Sequence, residues 1–533
     1  MLIILKTLLI FLLANFGNGI IAIKLLKIKC KSFALISILG ILSMAFLQTV
    51  LAFFFPLNFY VEIAFLIAGV IGLVLFLKEK DFTHFEFKKN INFWFYFFIV
   101  LIIFVGSFSP YFYDNYSYYV PTITLLKQVG FLKGISNLDL LLGQTSFWHI
   151  YLAGFSNFSD GFLRINVYLL ILFLIYIYER KQWVLFLFIP FFLIFIQQPS
   201  PDLPTFIIAL IVLNELLNNT NKKSLLYLSI FVFCIKPTMF WLPLLIVLES
   251  IYKRNFKFQM LIPILAFGIL FIIKNIWLFG FPVFPVSAVN FNLSWKPGQE
   301  ILTYSSQIGL MKSYDMHYSY QQIMDFNFLE RIDYWFTIGL KSVFNFLIVL
   351  SIFILGFLAF KKKEKFFTLL FICVLLKFIL IIVFSAQYRF FIDVYLIVLF
   401  LIFKNISEEK TVFVSVFLSV FISIIFTLPG FVKVQLNMGK WMSGFQMSQL
   451  IKPTEFKSEN PKSYQLGNLK FNATTGLVYK TQFPAMSLYW LKTYQYYNVF
   501  PQISENGFIQ KKLTEKEKME LKKIINDLED SKP

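Results

Sequence analysis

Two carboxylates, Asp114 and Asp202, stand where an acidic side chain could do chemistry at a membrane surface. Asp114 follows a long apolar run in the tyrosine-rich stretch 110–119, and Asp202 lies in a short proline-rich turn between two other apolar runs. Acidic residues are scarce, with 29 Asp and Glu in 533 residues, and ionisable groups at the mouth of a span are functional candidates by default. We therefore expect both in one site, where Tyr116, Tyr118 and Tyr119 could stack on a sugar ring.

Three basic residues are the second group that could bind a ligand. Lys236 interrupts an apolar segment just before Pro237, Lys274 lies near the end of an apolar run, and Arg389 opens another. Such cations often only extend to the membrane surface. The positive-inside rule disfavours cations on the outer side, however, so these three favour an anionic ligand such as a phosphate or pyrophosphate head group.

The composition indicates the class of protein that must position these residues. Hydrophobic residues make up 58% and charged residues 14%, whereas soluble domains are about 45–50% apolar and about 25% charged. The sequence therefore predicts an all-α polytopic membrane protein. The net charge of +19 comes largely from lysines in short loops, which is a topology signal rather than a nucleic-acid surface. Three scattered cysteines and three histidines predict neither a disulfide framework nor a metal site.

Apolar runs of about 20 residues mark helical spans, and the sequence predicts about fourteen of them. They lie near residues 3–22, 33–54, 60–77, 91–108, 163–178, 183–197, 203–217, 224–235, 238–251, 259–278, 338–360, 366–385, 389–403 and 411–428. With these spans all lysine-rich loops fall on one side, which places the N-terminus, Asp114 and Asp202 outside. The Lys236–Pro237 pair should break residues 224–251 into two short helices joined by an outer turn.

The outer segments complete the predicted organisation. In the first outer loop (109–162), Tyr119–Phe131 and Ser146–Phe155 are too short to span and predict helices lying in the membrane plane. The last stretch of the C-terminal tail, Lys511–Asp530, predicts a polar, charge-paired helix. The sequence thus divides into three leading transmembrane helices (1–90), a transmembrane core (91–428) and an extracytoplasmic C-terminal tail (429–533).

The order of these features resembles the GT-C superfamily of polytopic membrane glycosyltransferases, which take sugars from polyprenyl-phosphate carriers. The resemblance covers roughly residues 91–405. It rests on Asp114 in the first outer loop before short helices, Asp202 at the place of a second acid, Lys236-Pro237-Thr238 between short spans, Gly280–Pro285 as Gly-x-Pro-x-x-Pro, and Tyr388-Arg389-Phe390 opening a late span. The Asp114-Asn115 pair departs from the commoner two adjacent acids, so no metal ligands are assigned and a divalent metal stays open as a cofactor.

The resemblance implies a GT-C-like fold and an inverting sugar transfer. Asp114 would be the general base for the acceptor hydroxyl, because a base must reach the proton that it removes, and Asp202 would orient the acceptor or assist. Lys236, Lys274 and Arg389 would neutralise the departing phosphate. The residues that would line the sugar or acceptor site are Tyr116, Tyr119, Gln144, Trp148 and His149, although Trp148 fits equally an anchor in the membrane interface.

The implied partners are a polyprenyl-phosphate-linked sugar, a glycan, lipid or protein acceptor, and membrane lipids, with no nucleic acid. The implied setting is cell-envelope polysaccharide or glycoconjugate assembly, at the periplasmic side of a bacterial inner membrane. Two other function classes stay open. A flippase or transporter of lipid-linked glycans would fit the broken spans, and a polymerase or ligase of lipid-linked glycans would share both substrate and chemistry. A noncatalytic scaffold is a further alternative.

Overall fold

A computed structural model describes residues 1–79, 83–218, 222–435, 441–456, 458–505 and 507–530. The chain folds as two compact units. The first unit contains Met1–Pro204, Ile269–Gly298 and Ser407–Pro533, and the second contains Thr205–Gly268 and Gln299–Ile406. The predicted boundaries near residues 90 and 428 both fall inside the first unit, and they do not coincide with the division between the two units.

Most of the described chain is α-helical. In chain order the helices are α1 Leu2–Leu25, α2 Phe33–Leu51, α3 Phe59–Glu79, α4 Phe93–Gly106, α5 Val120–Val129, α6 Phe147–Ala153, α7 Ile165–Arg180, α8 Ile189–Phe192, α9 Asp202–Leu217, α10 Lys222–Ile235, α11 Trp241–Tyr252, α12 Leu261–Phe279, α13 Gln299–Ser313, α14 Tyr320–Asp325, α15 Phe328–Thr337, α16 Ser342–Lys362, α17 Lys365–Phe384, α18 Ile392–Phe403, α19 Glu408–Thr427, α20 Gly430–Gln435, α21 Leu488–Tyr497 and α22 Glu515–Asp530. The strands are β1 Lys462–Leu466, β2 Leu469–Thr474, β3 Ala485–Ser487, β4 Val499–Ser504 and β5 Gly507–Lys512.

Seven helices of the described chain are long and apolar enough to cross a bilayer. They are α1, α2, α3, α12 with the turn that precedes it, α16, α17 and α19. The chain is therefore an integral membrane protein, as its composition predicts. Each of the other predicted spans also coincides with helical structure, but those helices are shorter than the roughly 20 residues that a perpendicular span needs. The total of fourteen spans stays a prediction.

The predicted break at Lys236 is confirmed as a turn between two helices. Helix α10 ends at Ile235, Pro237–Met239 forms a 3-10 turn, and α11 begins at Trp241. At the other end of this hairpin, the buried Glu249 carboxylate pairs with Lys222 at 3.4 Å and Lys253 at 2.7 Å. The lysine-rich end and the Lys236 turn therefore lie at opposite ends of the two helices.

Glycines let the three leading helices pack in direct backbone contact. A Cβ added at Gly17 would collide with the backbone of Gly69, and one added at Gly72 would collide with the Gly17 carbonyl. Small residues at such interfaces allow membrane helices to approach closely. The Asn18 amide also donates to the Phe65 carbonyl at 3.0 Å. Helices α1 and α3 are therefore held at a distance that larger side chains would not permit.

The leading helices also hold the end of the first outer loop. The buried Glu62 carboxylate of α3 accepts hydrogen bonds from the backbone amides of Asn157 and Phe158, both at 2.9 Å, and of Ser159 at 2.6 Å. The Tyr151 hydroxyl in α6 donates to Asn15 in α1 at 2.8 Å. These contacts fix α6, and the side chains that it carries, against α1–α3.

Both short helices predicted in the first outer loop are present. A π-helical turn, Asn115–Tyr119, continues into α5, and α6 covers Phe147–Ala153. Every residue of α6 is buried in the protein, so its surface is covered by protein rather than facing a membrane interface. Trp148 has no exposed surface, which corrects its alternative role as an interfacial anchor.

The C-terminal segment contains strands that the sequence analysis did not predict. Strands β1–β2–β3 form one sheet and β4–β5 form an antiparallel hairpin. The predicted terminal helix begins at Glu515, because Lys511 and Lys512 belong to β5 and pair with Phe500 and Val499 of β4. An antiparallel hairpin satisfies backbone groups across the two strands, a long-range pairing that helical charge patterning does not reveal.

This C-terminal segment packs on the first outer loop. The Phe508 amide donates to the Lys133 carbonyl at 2.9 Å. The Asn137 amide nitrogen donates to the Phe508 carbonyl at 2.7 Å, and the Tyr494 hydroxyl donates to the Asn137 carbonyl at 2.8 Å. The Ile3 amide donates to the Ile451 carbonyl at 3.0 Å. The C-terminal segment therefore contacts both the first outer loop and the N-terminus, and their location on one side of the membrane stays a prediction.

Candidate functional site

Asp114 lies at the start of the π-helical turn Asn115–Tyr119, in the first unit. It occupies the position before the first residue of that turn, and its side chain is half-buried. Short π-helical segments occur frequently at functional sites because they change the direction of side chains within a helix. Here the turn consists of polar and aromatic residues, Asn-Tyr-Ser-Tyr-Tyr, and α5 follows it directly.

Asp202 is the first residue of α9, and its backbone amide donates to the Ser200 hydroxyl at 3.3 Å. A carboxylate in the first turn of a helix is favoured by the helix dipole. Burial raises the pKa of the Tyr119 hydroxyl, and the charges of neighbouring Tyr118, then Asp114 and Asp202, raise it further. The structure thus brings both predicted carboxylates within electrostatic range of the same buried tyrosine.

His149 joins this cluster from α6. Its imidazole ring lies 5.0 Å from the Tyr119 ring and 6.3 Å from the Tyr118 ring, measured between centroids. The ring also makes a hydrogen bond to the Pro199 backbone. Proline has no N–H, so the imidazole donates to the Pro199 carbonyl. The His149 backbone amide donates to the Ser146 hydroxyl at 3.3 Å, which caps the start of α6.

The protonation state of His149 follows from its surroundings. Burial, and to a smaller extent the nearby charge of Lys274, lower its pKa to about 3, against the opposing effects of the Pro199 hydrogen bond and the Asp202 charge. The imidazole is therefore neutral at pH 7. Its Nε2 atom is buried without a partner in the described chain, so Nδ1 carries the proton and Nε2 offers a lone pair. The ring is 2% exposed, so this lone pair lies inside the protein.

Lys274 is buried beside the same cluster. Its side chain is 1% exposed, and its Nζ donates to the Thr145 carbonyl at 2.5 Å. This contact connects α12 to the segment immediately before α6. The predicted role of Lys274 in binding phosphate stays a prediction, and its position beside His149 adds a positive charge to the carboxylate cluster of the first unit.

The remaining predicted sugar-site residues fall in different surroundings. Tyr116 is fully buried, and its hydroxyl donates to the Pro110 carbonyl at 2.6 Å. Its ring packs against Trp441, Phe456 and Tyr479 of the C-terminal segment. The structure therefore places Tyr116 in an aromatic core rather than on a surface where a sugar could stack.

Gln144 and Trp148 flank the start of α6. Gln144 is exposed at the end of the 3-10 turn Leu140–Gln144, so its amide is accessible. Trp148 is fully buried, and its indole nitrogen has no partner in the described part of the chain. Its ring packs 5.8 Å from the Tyr151 ring. Of these two residues, only Gln144 presents a polar group to the surface.

A cleft beside the carboxylate cluster involves residues that the sequence analysis missed. It is lined, among others, by Asn115, Arg164, Pro199, Thr454, Tyr479 and Lys480. Asn115 is 1% exposed, and neither polar atom of its amide has a partner among the described residues. No local pattern could have revealed this cleft, because the C-terminal segment reaches it only through the tertiary fold.

Asp139 is a third carboxylate near Asp114 that the sequence analysis missed. Burial raises the pKa of Asp139 to about 7, against hydrogen bonds from the Leu141 amide and the Trp490 side chain. Partial burial, and then the charges of Asp114 and Asp139, raise the pKa of Tyr113. Asp139 thus connects the first outer loop with helix α21 of the C-terminal segment.

The other two predicted cations lie together in the second unit. The half-buried Lys236 places its Nζ 5.5 Å from the centroid of the Phe390 ring. The exposed Arg389 places its guanidinium 5.2 Å from the same centroid. Cations within about 6 Å of an aromatic ring are attracted to it. Both cations therefore belong to one cluster around Phe390, formed by the Lys236 turn and the 3-10 turn Tyr388–Phe390.

Within the described residues, no group of three His, Cys, Asp or Glu side chains comes together as a protein-bound metal ion would require.

Residues 1–396 match a protein family described as a domain of unknown function, DUF8201. The chain belongs to this family. The DUF8201 region includes both carboxylates, all three predicted cations and His149, whereas the C-terminal segment that lines the cleft lies beyond it. No curated protein and no solved structure matches the chain.

Proposed function

We propose that this DUF8201 protein is an inverting membrane glycosyltransferase. It would move a sugar from a polyprenyl-phosphate carrier to a glycan, lipid or protein acceptor on the outer face of the membrane. The observation that carries the proposal is the convergence of Asp114 and Asp202 on Tyr119, beside the neutral imidazole of His149. Two carboxylates and an unpartnered acceptor nitrogen suit a polyhydroxylated substrate.

In the proposed reaction the acceptor hydroxyl oxygen attacks the anomeric carbon of the donor sugar. A new glycosidic bond forms, the bond from that carbon to the phosphate oxygen breaks, and its electron pair leaves with the lipid phosphate. The Asp114 carboxylate takes the hydroxyl proton as general base. Asp202 orients the acceptor, and His149 Nε2 accepts a hydrogen bond from a sugar or acceptor hydroxyl.

The cations have the complementary task. A leaving lipid phosphate carries negative charge that fixed cations stabilise without reorganisation. Lys236 and Arg389 around Phe390 form the proposed phosphate site, and the buried Lys274 adds positive charge beside His149. Polyprenyl carriers are long apolar chains, and exposed aromatic and aliphatic side chains on the spanning helices offer them a compatible surface.

We further propose the GT-C-like topology of about fourteen spans, with the site on the periplasmic side of a bacterial inner membrane. The seven long helices supply half of these spans, and shorter helices that coincide with the remaining predicted runs supply the rest. Short helices can span where the protein itself covers their polar ends. The hairpin of α10 and α11, with charges at both of its ends, supports this arrangement.

This topology predicts opposite labelling of two exposed lysine positions. In a Cys30→Ser background, Lys363→Cys should react with a membrane-impermeant thiol reagent only after the membrane is opened, and Lys470→Cys should react in intact cells. The remaining native cysteines, Cys234 and Cys373, are buried. Reaction of both introduced cysteines from the same side would contradict the span count and the outer location of the tail.

The activity itself is tested with purified protein in lipid. A panel of radiolabelled polyprenyl-phosphate sugars is incubated with membrane glycolipid and glycan acceptors, and transfer is followed by chromatography of the products. The proposal predicts transfer from at least one polyprenyl-monophosphate sugar, with inversion at the anomeric carbon. Movement of an intact lipid-linked glycan across proteoliposomes, without transfer, would instead support the transporter alternative.

A further inference from the structure

A buried charge network lies in the second unit, and two of its residues follow closely in sequence after Lys236 and Arg389. The Lys377 Nζ contacts the two carboxylate oxygens of Asp393 at 2.5 and 2.7 Å, and the Trp241 indole nitrogen donates to the same carboxylate at 2.8 Å. Lys377 and Trp241 have no exposed surface, and Asp393 is 3% exposed. The three side chains come from α17, α18 and α11, so the network joins three helices.

Stability alone does not explain such a network. Desolvation of two buried charges offsets most of their attraction, and apolar replacements of a buried ion pair are often as stable or more so. Ionisable groups inside membrane-spanning segments are rare and generally mark functional sites. The Lys377–Asp393 pair is therefore expected to hold the three helices that the network joins in a fixed arrangement.

Two of the joined helices, α11 and α18, begin just after the turns that carry the proposed phosphate-binding cations. Trp241 begins α11 directly after the turn that follows Lys236, and Asp393 lies in the first turn of α18, directly after the turn that contains Arg389. The Asp393 carboxylate thus links the two turns through its bond to Trp241. Both cations approach the single ring of Phe390.

We propose that the Lys377–Asp393–Trp241 network is a positioning device that holds Lys236 and Arg389 together as one phosphate site. The inference rests on the proposed function, since it takes the lipid-phosphate donor as the anion. The network itself is buried and does not touch the donor. It acts by fixing where the α10–α11 turn and the α17–α18 turn present their cations.

The test compares binding of a short-chain polyprenyl monophosphate with binding of the corresponding polyprenol, using full-length protein in nanodiscs. The double variant Lys377→Met/Asp393→Leu removes both charges together and leaves no buried charge unpaired. It should fold with nearly unchanged thermal stability and keep its polyprenol affinity. Its phosphate affinity should fall about tenfold or more, which corresponds to about 1.4 kcal/mol or more. Trp241→Phe removes the indole N–H that donates to Asp393 and keeps a smaller aromatic ring at the site. It should weaken phosphate binding several-fold, and it serves where the double variant does not fold.

Glu249→Gln provides the matched control, because Glu249 forms a buried ion pair at the opposite end of α11. It should leave phosphate affinity unchanged even if it lowers thermal stability. Wild-type phosphate preference that persists in the folded double variant, or in Trp241→Phe, would overturn the positioning role alone. Equal wild-type affinity for the phosphate and the polyprenol would overturn the proposed donor site, and this inference with it.

Discussion

Replacement of Asp114 by asparagine is expected to lower sugar transfer by about 10²–10⁴-fold, the usual contribution of general acid–base catalysis. The amide keeps the size of the side chain and its capacity to contact the acceptor, but it cannot take the hydroxyl proton. Because Asp114 is half-buried at the start of a turn, the substitution should leave the fold intact. Transfer by purified variants in lipid, together with thermal unfolding and donor affinity, separates these effects.

Two substitutions accompany this experiment. Asp202→Asn should cost less than Asp114→Asn if its carboxylate orients the acceptor rather than removing the proton. Asp333→Asn changes an exposed carboxylate of α15 and should transfer sugar at the wild-type rate. Near-normal turnover by a well-folded Asp114→Asn protein would remove this residue from catalysis and strengthen the transporter alternative.

The sequence predicts the features that depend on local patterns. Apolar runs locate the helices, because helices satisfy their own backbone groups in a membrane and so need only length and apolarity. The break at Lys236 is equally local, since proline disfavours helix at the residue before it. The helices that follow Asp114 also appear where their sequence predicts them, at α5 and α6.

The features that the sequence did not reveal depend on pairing between distant segments. Glu62 and Asp393 look like isolated acids in apolar surroundings until the fold supplies the Ser159 amide and the Lys377 ammonium as partners. Tyr116 looks available for stacking until the C-terminal segment covers it. The partner of a buried polar group has to be found in three dimensions, and this requirement limits prediction of the candidate site more than prediction of its helices.

Conversion of Arg389 or Lys236 to alanine is expected to weaken donor binding by about ten- to a hundredfold. Loss of a hydrogen bond to a charged group costs about 1.5–3 kcal/mol, and 1.4 kcal/mol corresponds to tenfold in affinity. The preference among acceptors should change little, because acceptor recognition is assigned to the Asp114 cluster of the first unit. Equilibrium binding of a polyprenyl-phosphate sugar, and competition between acceptors, measure the two effects separately.

Lys363→Ala is the control for a loss of positive charge, since Lys363 is exposed at the lysine-rich end of α16 and should not contact the donor. The double variant Lys236→Ala/Arg389→Ala distinguishes one shared phosphate site from two separate ones. If both cations contact the same phosphate, their losses should not be additive, because interacting residues couple. Additive losses would indicate separate contacts, and unchanged donor affinity in both single variants would mean that these side chains only extend toward the membrane surface.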